Sequence, residues 1–476
     1  MSNQRTPLSL CHGSDVKFGT SGVRGPVAQL SKDICQSFTQ AFVSRLCRED
    51  ALCVGIDLRP SSPLIAAWVI EQAQIMGMEV LDCGALPTPA LAFYAMQQGL
   101  PAIMITGSHI PFDRNGMKFY LPSGEITKAD EQMILTTRLD ALSSSLQKGR
   151  CRHIRSDAIK RYQERYFDAF RDLNLSGKRI GVYQHSCVTR DILVEVLRKF
   201  GAEVITLGRT DHFVALDTEA VGEAEQALAR KWTQQHQLDA IITTDGDGDR
   251  PLIADENGYW LRGDQVGMLT CQALQASYIA TPINSNTGLE KLLPNAQIVR
   301  TKIGSPFVIE AMQRAAEHDT SLGFEANGGV LLGTDTERLK ALPTRDALLP
   351  ILSVISTLPT RPISAQLKVL PSRHTASTLI PSINKAKCEQ LLRRLATADG
   401  WQTLLAALYA ERRPEIITID TLDGVRTQLS NGNILHIRAS GNANELRIYA
   451  ESDRADHCNE LIKTTKEHFH SLFFDT

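Results

Sequence analysis

Residues 238–250 read LDAIITTDGDGDR, a short apolar segment that runs directly into three aspartates. The length and composition of Ala240–Thr243 predict a buried strand. The same pattern predicts strands over Leu52–Ile56, Ala102–Ile105 and Arg179–Tyr183, and helical spacing of apolar residues over Leu64–Gly77, Asp191–Phe200 and Ala224–Gln237. Because strands and helices alternate, we predict α/β units with largely parallel sheets.

The pattern changes near residue 370. Beyond this point we predict a strand over His374–Ile380, a helix over Asn384–Ala396, and strands over Ile416–Asp420, Gly424–Leu429 and Ile434–Ala439. This order is typical of a smaller α+β domain. We therefore predict four domains, at residues 1–150, 151–258, 259–370 and 371–476.

Composition excludes several classes of protein. The 476 residues are 43% hydrophobic and 22% charged, which is ordinary for a globular protein. The 51 Lys and Arg nearly balance the 53 Asp and Glu, so no excess charge points to nucleic acid or an anionic membrane. Met1–Gly13 does not resemble a signal peptide, and the ten cysteines are scattered singly. We expect a cytoplasmic protein with reduced thiols, binding neither nucleic acid nor membrane.

The aspartate loop indicates a cation site. Asp245, Asp247 and Asp249 alternate with two glycines, and their hard oxygen ligands suit Mg²⁺ or Ca²⁺. An EF-hand is the rival interpretation, since Glu256 falls at the twelfth loop position. It is disfavoured by Arg250 at the sixth position, where glycine is needed, and by the strand that enters the loop. A solvated acidic turn is the remaining alternative.

A second loop follows the predicted strand Ala102–Ile105 and reads Thr106-Gly107-Ser108-His109. Ligands of α/β sheets bind at the carboxyl ends of strands, so the Ser108 hydroxyl would lie in such a position, with Lys118 nearby. The loop lacks the glycine two residues after the serine that a hydrolase nucleophile elbow requires. Taken alone, such a loop is more often an ordinary loop than a catalytic one.

Two further loops could bind anions. One, at residues 17–26, is rich in Gly, Ser and Thr and carries Lys17 and Arg24. The other, Arg438-Ala439-Ser440-Gly441-Asn442, combines a guanidinium, a hydroxyl, an amide and a flexible backbone, as a phosphate site requires. A polar hairpin loop would fit the second equally well.

Together and in this order, the four loops resemble those of the α-D-phosphohexomutase superfamily. Shorter matches agree: Asp57-Leu58-Arg59-Pro60-Ser61-Ser62, Pro87-Thr88-Pro89, Thr301-Lys302-Ile303-Gly304 and Asp423-Gly424-Val425-Arg426. The resemblance spans nearly the whole chain. It implies three related α/β domains with mixed sheets, plus a C-terminal α+β domain of the TATA-box-binding-protein-like type, arranged around a central cleft.

The resemblance also implies a reaction. Ser108 would be carried as a phosphoserine, and its phosphoryl oxygen would join Asp245, Asp247 and Asp249 in holding Mg²⁺. The phosphoserine would donate its phosphoryl group to a hexose phosphate, forming a hexose 1,6-bisphosphate that also serves as activator. We expect a small-molecule hexose phosphate as the partner and a monomer or homodimer as the assembly.

Roles of individual residues follow from the same resemblance. Lys118 would be the general acid or base, on the premise that neighbouring cations shift it toward neutrality. Arg24 and His109 would stabilise the transferring group, with Arg250 completing a cationic cleft. Phosphate contacts would come from Arg438, Ser440, Gly441, Asn442, Lys302, Thr20 and Ser21.

Sugar recognition would rest on Glu325 and Asn327 in the segment 323–329, GFEANGG. Many members carry Glu-x-Ser-Gly-His there, whereas this chain has Gly329 at the histidine position. Gly107, Ile110 and the segment 442–444 also depart from the family pattern. The loop is most similar to that of bacterial phosphomannomutase-like members, which supply mannose 1-phosphate for GDP-mannose. The alternatives are a phosphoglucomutase or dual-specificity enzyme, a phosphoglucosamine mutase, a sugar-phosphate phosphatase and a non-catalytic Ca²⁺-binding protein.

Overall fold

The computed structural model describes residues 5–19, 22–140, 147–316, 319–409, 413–440 and 444–474. Of the predicted site residues, Thr20, Ser21, Gly441 and Asn442 lie outside these ranges. The described residues form four sheets in chain order, and each sheet with its helices is called a unit below.

The first unit contains a mixed sheet with the order β1-β2-β6-β5-β3-β4-β8, and β7 pairs with β6. Its strands are β1 (Lys17–Phe18), β2 (Val23–Pro26), β3 (Ala51–Ile56), β4 (Glu79–Ala85), β5 (Ala102–Ile105), β6 (Arg114–Leu121), β7 (Gly124–Glu125) and β8 (Cys151–His153). Its helices are α1 (Pro7–Leu10), α2 (Lys32–Leu46), α3 (Ser62–Ile75), α4 (Thr88–Gln98) and α5 (Lys128–Thr136). Because β8 lies beyond residue 150, this sheet extends past the predicted domain boundary.

The second unit has the sheet order β10-β9-β11-β12, in which only β12 is antiparallel to its neighbour. Its elements are α6 (Arg155–Ala169), β9 (Arg179–Tyr183), α7 (Arg190–Lys199), β10 (Glu203–Leu207), α8 (Glu223–His236), β11 (Ala240–Thr244) and β12 (Pro251–Ala254). Pro251 is tolerated because it opens an edge strand, where a missing N–H costs little. The aspartate loop is the connection between β11 and β12.

The third unit has the sheet order β14-β13-β15-β16-β17. Its elements are α9 (Gly263–Ala273), β13 (Tyr278–Pro282), α10 (Gly288–Leu292), β14 (Gln297–Thr301), α11 (Ser305–Met312), β15 (Ser321–Phe324), β16 (Val330–Leu332), β17 (Leu342–Asp346), α12 (Leu348–Ile355) and α13 (Ile363–Leu367). Strands β13, β14 and β15 are parallel, and β16 and β17 extend the sheet in antiparallel fashion. The predicted sugar-contacting loop connects β15 to β16.

The fourth unit has an antiparallel sheet with the order β18-β22-β21-β20-β19. Its elements are β18 (His374–Pro381), α14 (Lys385–Leu395), α15 (Ala398–Leu408), β19 (Ile416–Asp420), β20 (Val425–Leu429), β21 (Ile434–Ala439), β22 (Glu445–Ser452) and α16 (Ala455–Phe474). The sequence analysis predicted α14 and most of these strands but neither α15 nor α16. The predicted phosphate-binding loop follows β21.

Hydrophobic packing joins the first three units and leaves the fourth with a core of its own. One continuous core runs from Cys53 in the first unit to Ile363 in the third. A separate core in the fourth unit contains Trp401 and Phe469. Within the described part of the chain, no helix has the length and apolar character needed to cross a bilayer.

Trp401 on α15 is fully buried in the core of the fourth unit. We expect Trp401→Ala to lower the free energy of unfolding of this unit by about 3–5 kcal/mol, because it leaves a large cavity. Trp401→Phe keeps most of the volume and should cost clearly less. Urea unfolding followed by circular dichroism checks both variants. Equal losses of unfolding free energy in the two variants would contradict the packing role of Trp401.

Candidate active site

Three carboxylates are buried together at the end of β11. Asp245, Asp247 and Asp249 are each at most 1% exposed, and one oxygen from each lies within 4.8 Å of the others. Gly248 has a φ of +74°, which lets the loop turn back into β12. Thr88 at the start of α4 donates from its hydroxyl to Asp247 Oδ2 at 2.6 Å, so the first unit also holds this loop.

The donor set of this cluster fits Mg²⁺. Among the described residues, Asp247 Oδ1 and Asp249 Oδ1 are buried yet have no hydrogen-bond partner. Unpartnered buried carboxylate oxygens are costly, and a hard cation would satisfy them. The EF-hand alternative is wrong, because the loop joins two strands and Glu256 instead accepts hydrogen bonds from Ser364.

The predicted serine lies against this cluster. Ser108 is fully buried, and its hydroxyl donates to Asp245 Oδ2 at 2.6 Å. The second contact of the hydroxyl is with His109 Nδ1 at 3.4 Å. The φ of Ser108 is 56°, an unfavourable value for a residue with a side chain, and such strain is concentrated at functional sites.

A buried arginine holds the serine loop in this strained shape. Arg59 donates to the backbone carbonyls of four residues around the loop, namely Ser108, Ile110, Pro111 and Arg114. Asp57 pairs with Arg59 at 3.2 Å and accepts from the Thr106 hydroxyl at 2.7 Å. A side chain at Gly107 would collide with the guanidinium, since a Cβ there would lie 2.6 Å from Arg59 Cζ. Gly107 is therefore needed for this brace.

Lys118 on β6 lies between carboxylates. Its ammonium donates to Asp247 Oδ2 at 2.7 Å and Asp249 Oδ2 at 2.8 Å. Burial alone would lower the pKa of Lys118, but the two carboxylates outweigh burial and raise that pKa. The expectation that surrounding cations shift Lys118 toward neutrality is wrong for this arrangement.

His109 is a basic group of the site whose pKa is lowered by burial and by neighbouring cations. Burial, together with Arg250 and Arg24, lowers the pKa of His109 far below its usual range, so the imidazole is neutral at pH 7. Burial and the nearby Arg250 and Arg345 lower the pKa of Arg24 to about 10. A neutral imidazole can still exchange hydrogen bonds with the Ser108 hydroxyl.

A cleft of about 680 Å³ opens beside these groups and draws its walls from all four units. The predicted site residues that line it are Arg24, His109, Arg250, Glu325, Asn327, Arg438 and Ser440. Ser108 contacts His109 of the cleft wall, and Asp249, which pairs with Lys118, contacts Arg345 of the same wall. Lys302 is exposed and packs 5.8 Å from the ring of Phe307, which itself lines the cleft.

Family models match the chain in four consecutive segments. Residues 15–143, 160–258 and 262–373 match alpha/beta/alpha domains I, II and III of phosphoglucomutase/phosphomannomutase, and 384–467 match its C-terminal domain. The chain belongs to the phosphoglucomutase/phosphomannomutase family. The predictions of an α-D-phosphohexomutase and of its fold class are confirmed.

Full-length relatives agree. A phosphomannomutase of Salmonella muenchen is 41% identical over 472 residues, covering 98% of both chains. A phosphomannomutase of Sinorhizobium fredii is 40% identical over 468 residues, covering 94% of this chain and 97% of its own. The crystal structure of a family protein from Burkholderia thailandensis has a TM-score of 0.74 at 19% identity and covers 95% of this chain and 97% of its own.

Several cleft residues of this phosphohexomutase were missed in the sequence. Arg345, Arg447, Asp217 and Glu219 all line the cleft. Arg345 is 2% exposed within β17, and a charge inside a buried strand is a signal that could have revealed it. Asp217 and Glu219 lie in a long loop without a motif, and only the fold brings them to the cleft.

The brace formed by Arg59 leads to a prediction. We expect Arg59→Lys to reduce phosphohexomutase turnover by about tenfold or more, because lysine lacks the planar fork that reaches these carbonyls and the loop that carries Ser108 shifts. Arg155→Lys is the matched control, since exposed Arg155 donates to a single carbonyl, that of Ala85, in the same region. Steady-state kcat of the purified variants checks this, and equal values for the two would contradict the brace.

Proposed function

We propose that this family member is a phosphomannomutase that interconverts mannose 6-phosphate and mannose 1-phosphate. The observation that carries the proposal is the buried Ser108 hydroxyl, which donates to Asp245, one of three clustered carboxylates, beside a cleft walled by four units. The sugar is inferred from the two phosphomannomutases that are 40–41% identical over nearly the whole chain.

The residues around Ser108 suit phosphoryl transfer. When bound by Asp245, Asp247 and Asp249, Mg²⁺ would supply neutralisation of the charge on the transferring group. Arg24 and Arg250 at the cleft wall would stabilise the equatorial oxygens, and neutral His109 would orient them through hydrogen bonds.

Ser108, as phosphoserine, would give its phosphoryl group to the free hydroxyl of a hexose phosphate. The serine oxygen–phosphorus bond breaks, a sugar oxygen–phosphorus bond forms, and the hydroxyl proton passes to a base. Lys118 is our proposed base and later acid, acting once its ammonium has left the carboxylates. The resulting hexose 1,6-bisphosphate would reverse its orientation in the cleft and return its other phosphoryl group to Ser108. Free bisphosphate would act as an activator by restoring phosphoserine.

The cleft wall contributed by the fourth unit suits the phosphate that is not reacting. Arg438 and Ser440 line this wall. We propose that Gly441, Asn442, Lys302, Thr20 and Ser21 add phosphate contacts. Glu325 and Asn327 would contact the hexose ring, Glu325 by accepting hydrogen bonds from adjacent hydroxyls. The product would supply GDP-mannose synthesis in the cytoplasm.

Ser108→Ala tests the phosphoryl donor. We expect turnover to fall by about a thousandfold or more while the melting temperature stays near that of the unmodified enzyme, because only the nucleophile is removed. Ser44→Ala is the control, since its hydroxyl merely caps a carbonyl within α2. Intact-mass analysis should find one phosphoryl group on the unmodified chain and none on Ser108→Ala. Mutase activity retained by Ser108→Ala would rule out the donor role.

A comparison of substrates tests the assignment of the sugar. With Mg²⁺ and a bisphosphate activator, we expect a higher kcat/KM for mannose 1-phosphate than for glucose 1-phosphate or glucosamine 1-phosphate, without release of free phosphate. The 6-phosphate products and inorganic phosphate are followed together. Glucose-favoured turnover would make the enzyme a phosphoglucomutase, and release of phosphate alone would make it a phosphatase.

A further inference from the structure

Arg345 connects the aspartate loop to the sugar-contacting loop. Its guanidinium donates to Asp249 Oδ2 at 2.9 Å through Nη2 and at 3.2 Å through Nε. Through Nη1 it donates to Glu325 Oε2 at 2.9 Å. The side chain is 3% exposed, so both ion pairs are shielded from water. One planar group thus fixes a carboxylate from each of two loops.

Gly329 makes room for this arginine. A Cβ at residue 329 would lie 2.7 Å from Arg345 Cδ and 2.9 Å from Arg345 Cγ, closer than real Cβ atoms approach, and a milder 3.1 Å from the backbone oxygen of Asp249. The backbone of Gly329 is not in the left-handed region, so its conformation alone does not require glycine. What residue 329 cannot tolerate is a side chain while Arg345 occupies this space.

We propose that Arg345 is a positioning residue for sugar specificity that acts through Glu325. The guanidinium holds Oε2 of Glu325 and so fixes the plane of a carboxylate that lines the cleft. A carboxylate in a fixed plane distinguishes hydroxyl geometries that a freely rotating one does not, and hexose epimers differ in the direction of a single hydroxyl. Gly329 contributes to the same sugar specificity because, having no side chain, it leaves room for the side chain of Arg345.

The ion pair with Asp249 gives Arg345 a second positioning role. Arg345 anchors Glu325 to a residue of the aspartate loop, so the distance between the sugar-contacting group and the reacting end of the cleft is set by one side chain. Lysine cannot reproduce this, because a point charge on a flexible stem lacks the fork that reaches two carboxylates in fixed directions.

The proposal rests on the mutase function proposed above. Its main test is the ratio of kcat/KM for mannose 1-phosphate to kcat/KM for glucose 1-phosphate. We compare kcat/KM for mannose 1-phosphate with kcat/KM for glucose 1-phosphate in the unmodified enzyme, Arg345→Lys, Arg345→Met and Gly329→Ala. This ratio does not depend on the fraction of folded enzyme, so a merely structural loss leaves it unchanged. We expect it to move toward one by about tenfold in Arg345→Met and by less in Arg345→Lys. Arg338→Met, which breaks a surface pair with Asp172, is the control and should keep the ratio.

A double-mutant cycle tests the role of Gly329. Gly329→Ala should disturb the ratio in the unmodified background and much less in Arg345→Ala, where the methyl group meets no arginine and only the milder contact with the Asp249 backbone oxygen remains. An equal effect in both backgrounds, or an unchanged ratio in folded Arg345→Met, would overturn the proposal. If Arg345→Met fails to fold, Arg345→Lys and Gly329→Ala still decide the matter.

A binding measurement separates this proposal from the proposed function. Calorimetric affinities for mannose 6-phosphate and glucose 6-phosphate are measured on Ser108→Ala with and without Arg345→Met, in the presence of a chelator. We expect Arg345→Met to weaken the discrimination between the two ligands. If the unmodified enzyme turned over neither sugar, the proposed mutase function would be wrong. The affinities would still test Arg345: weaker discrimination in Arg345→Met would support its positioning role, and unchanged discrimination would overturn it.

Discussion

The active site depends on burying three carboxylates side by side. Two unit charges 4 Å apart repel by about 4 kcal/mol at an effective dielectric constant of 20, so Asp245, Asp247 and Asp249 could not remain together unaided. Lys118 of the first unit and Arg345 of the third unit each form ion pairs with this cluster. A loop of the second unit is therefore stabilised by its neighbours on both sides, and assembling the units also assembles the site.

The ion pairs with Lys118 and Arg345 explain why the pKa values of the aspartates shift in different directions. Although burial would raise it, the pKa of Asp249 is lowered by Arg345, Lys118 and Arg250. Burial and the other two aspartates instead raise the pKa of Asp245, which contacts the Ser108 hydroxyl. Although burial opposes them, Asp247 and Asp249 raise the pKa of Lys118 and favour its protonated form. The role of base proposed above for Lys118 needs the neutral amine, so it would require these two ion pairs to weaken first.

Local sequence signals predicted the parts of the site that lie next to strands. The run Ala240–Thr243 and the aspartates after it are adjacent in the chain, so period and composition sufficed to place them. Arg345 was missed because its partners, Asp249 and Glu325, are distant in the chain. The environment of Lys118 was predicted wrongly for the same reason, since its charged neighbours come from another unit. In the fourth unit, α15 was missed although Trp401, Leu404 and Leu405 stand at the i, i+3, i+4 spacing of a buried helix face, so its sequence signal was present and overlooked.

The carboxylate of Asp423 joins the third and fourth units. It accepts a hydrogen bond from Arg438 Nε at 3.2 Å and another from the backbone N–H of Ile303 at 2.9 Å, so it links the end of β21 to the third unit. The side chains of Arg438 and Asp423 are 13% and 17% exposed, so this ion pair is largely shielded from water and orients the guanidinium at the cleft wall. Because the protein itself orients this guanidinium, the phosphate-binding role proposed above for Arg438 would cost little ordering of the side chain.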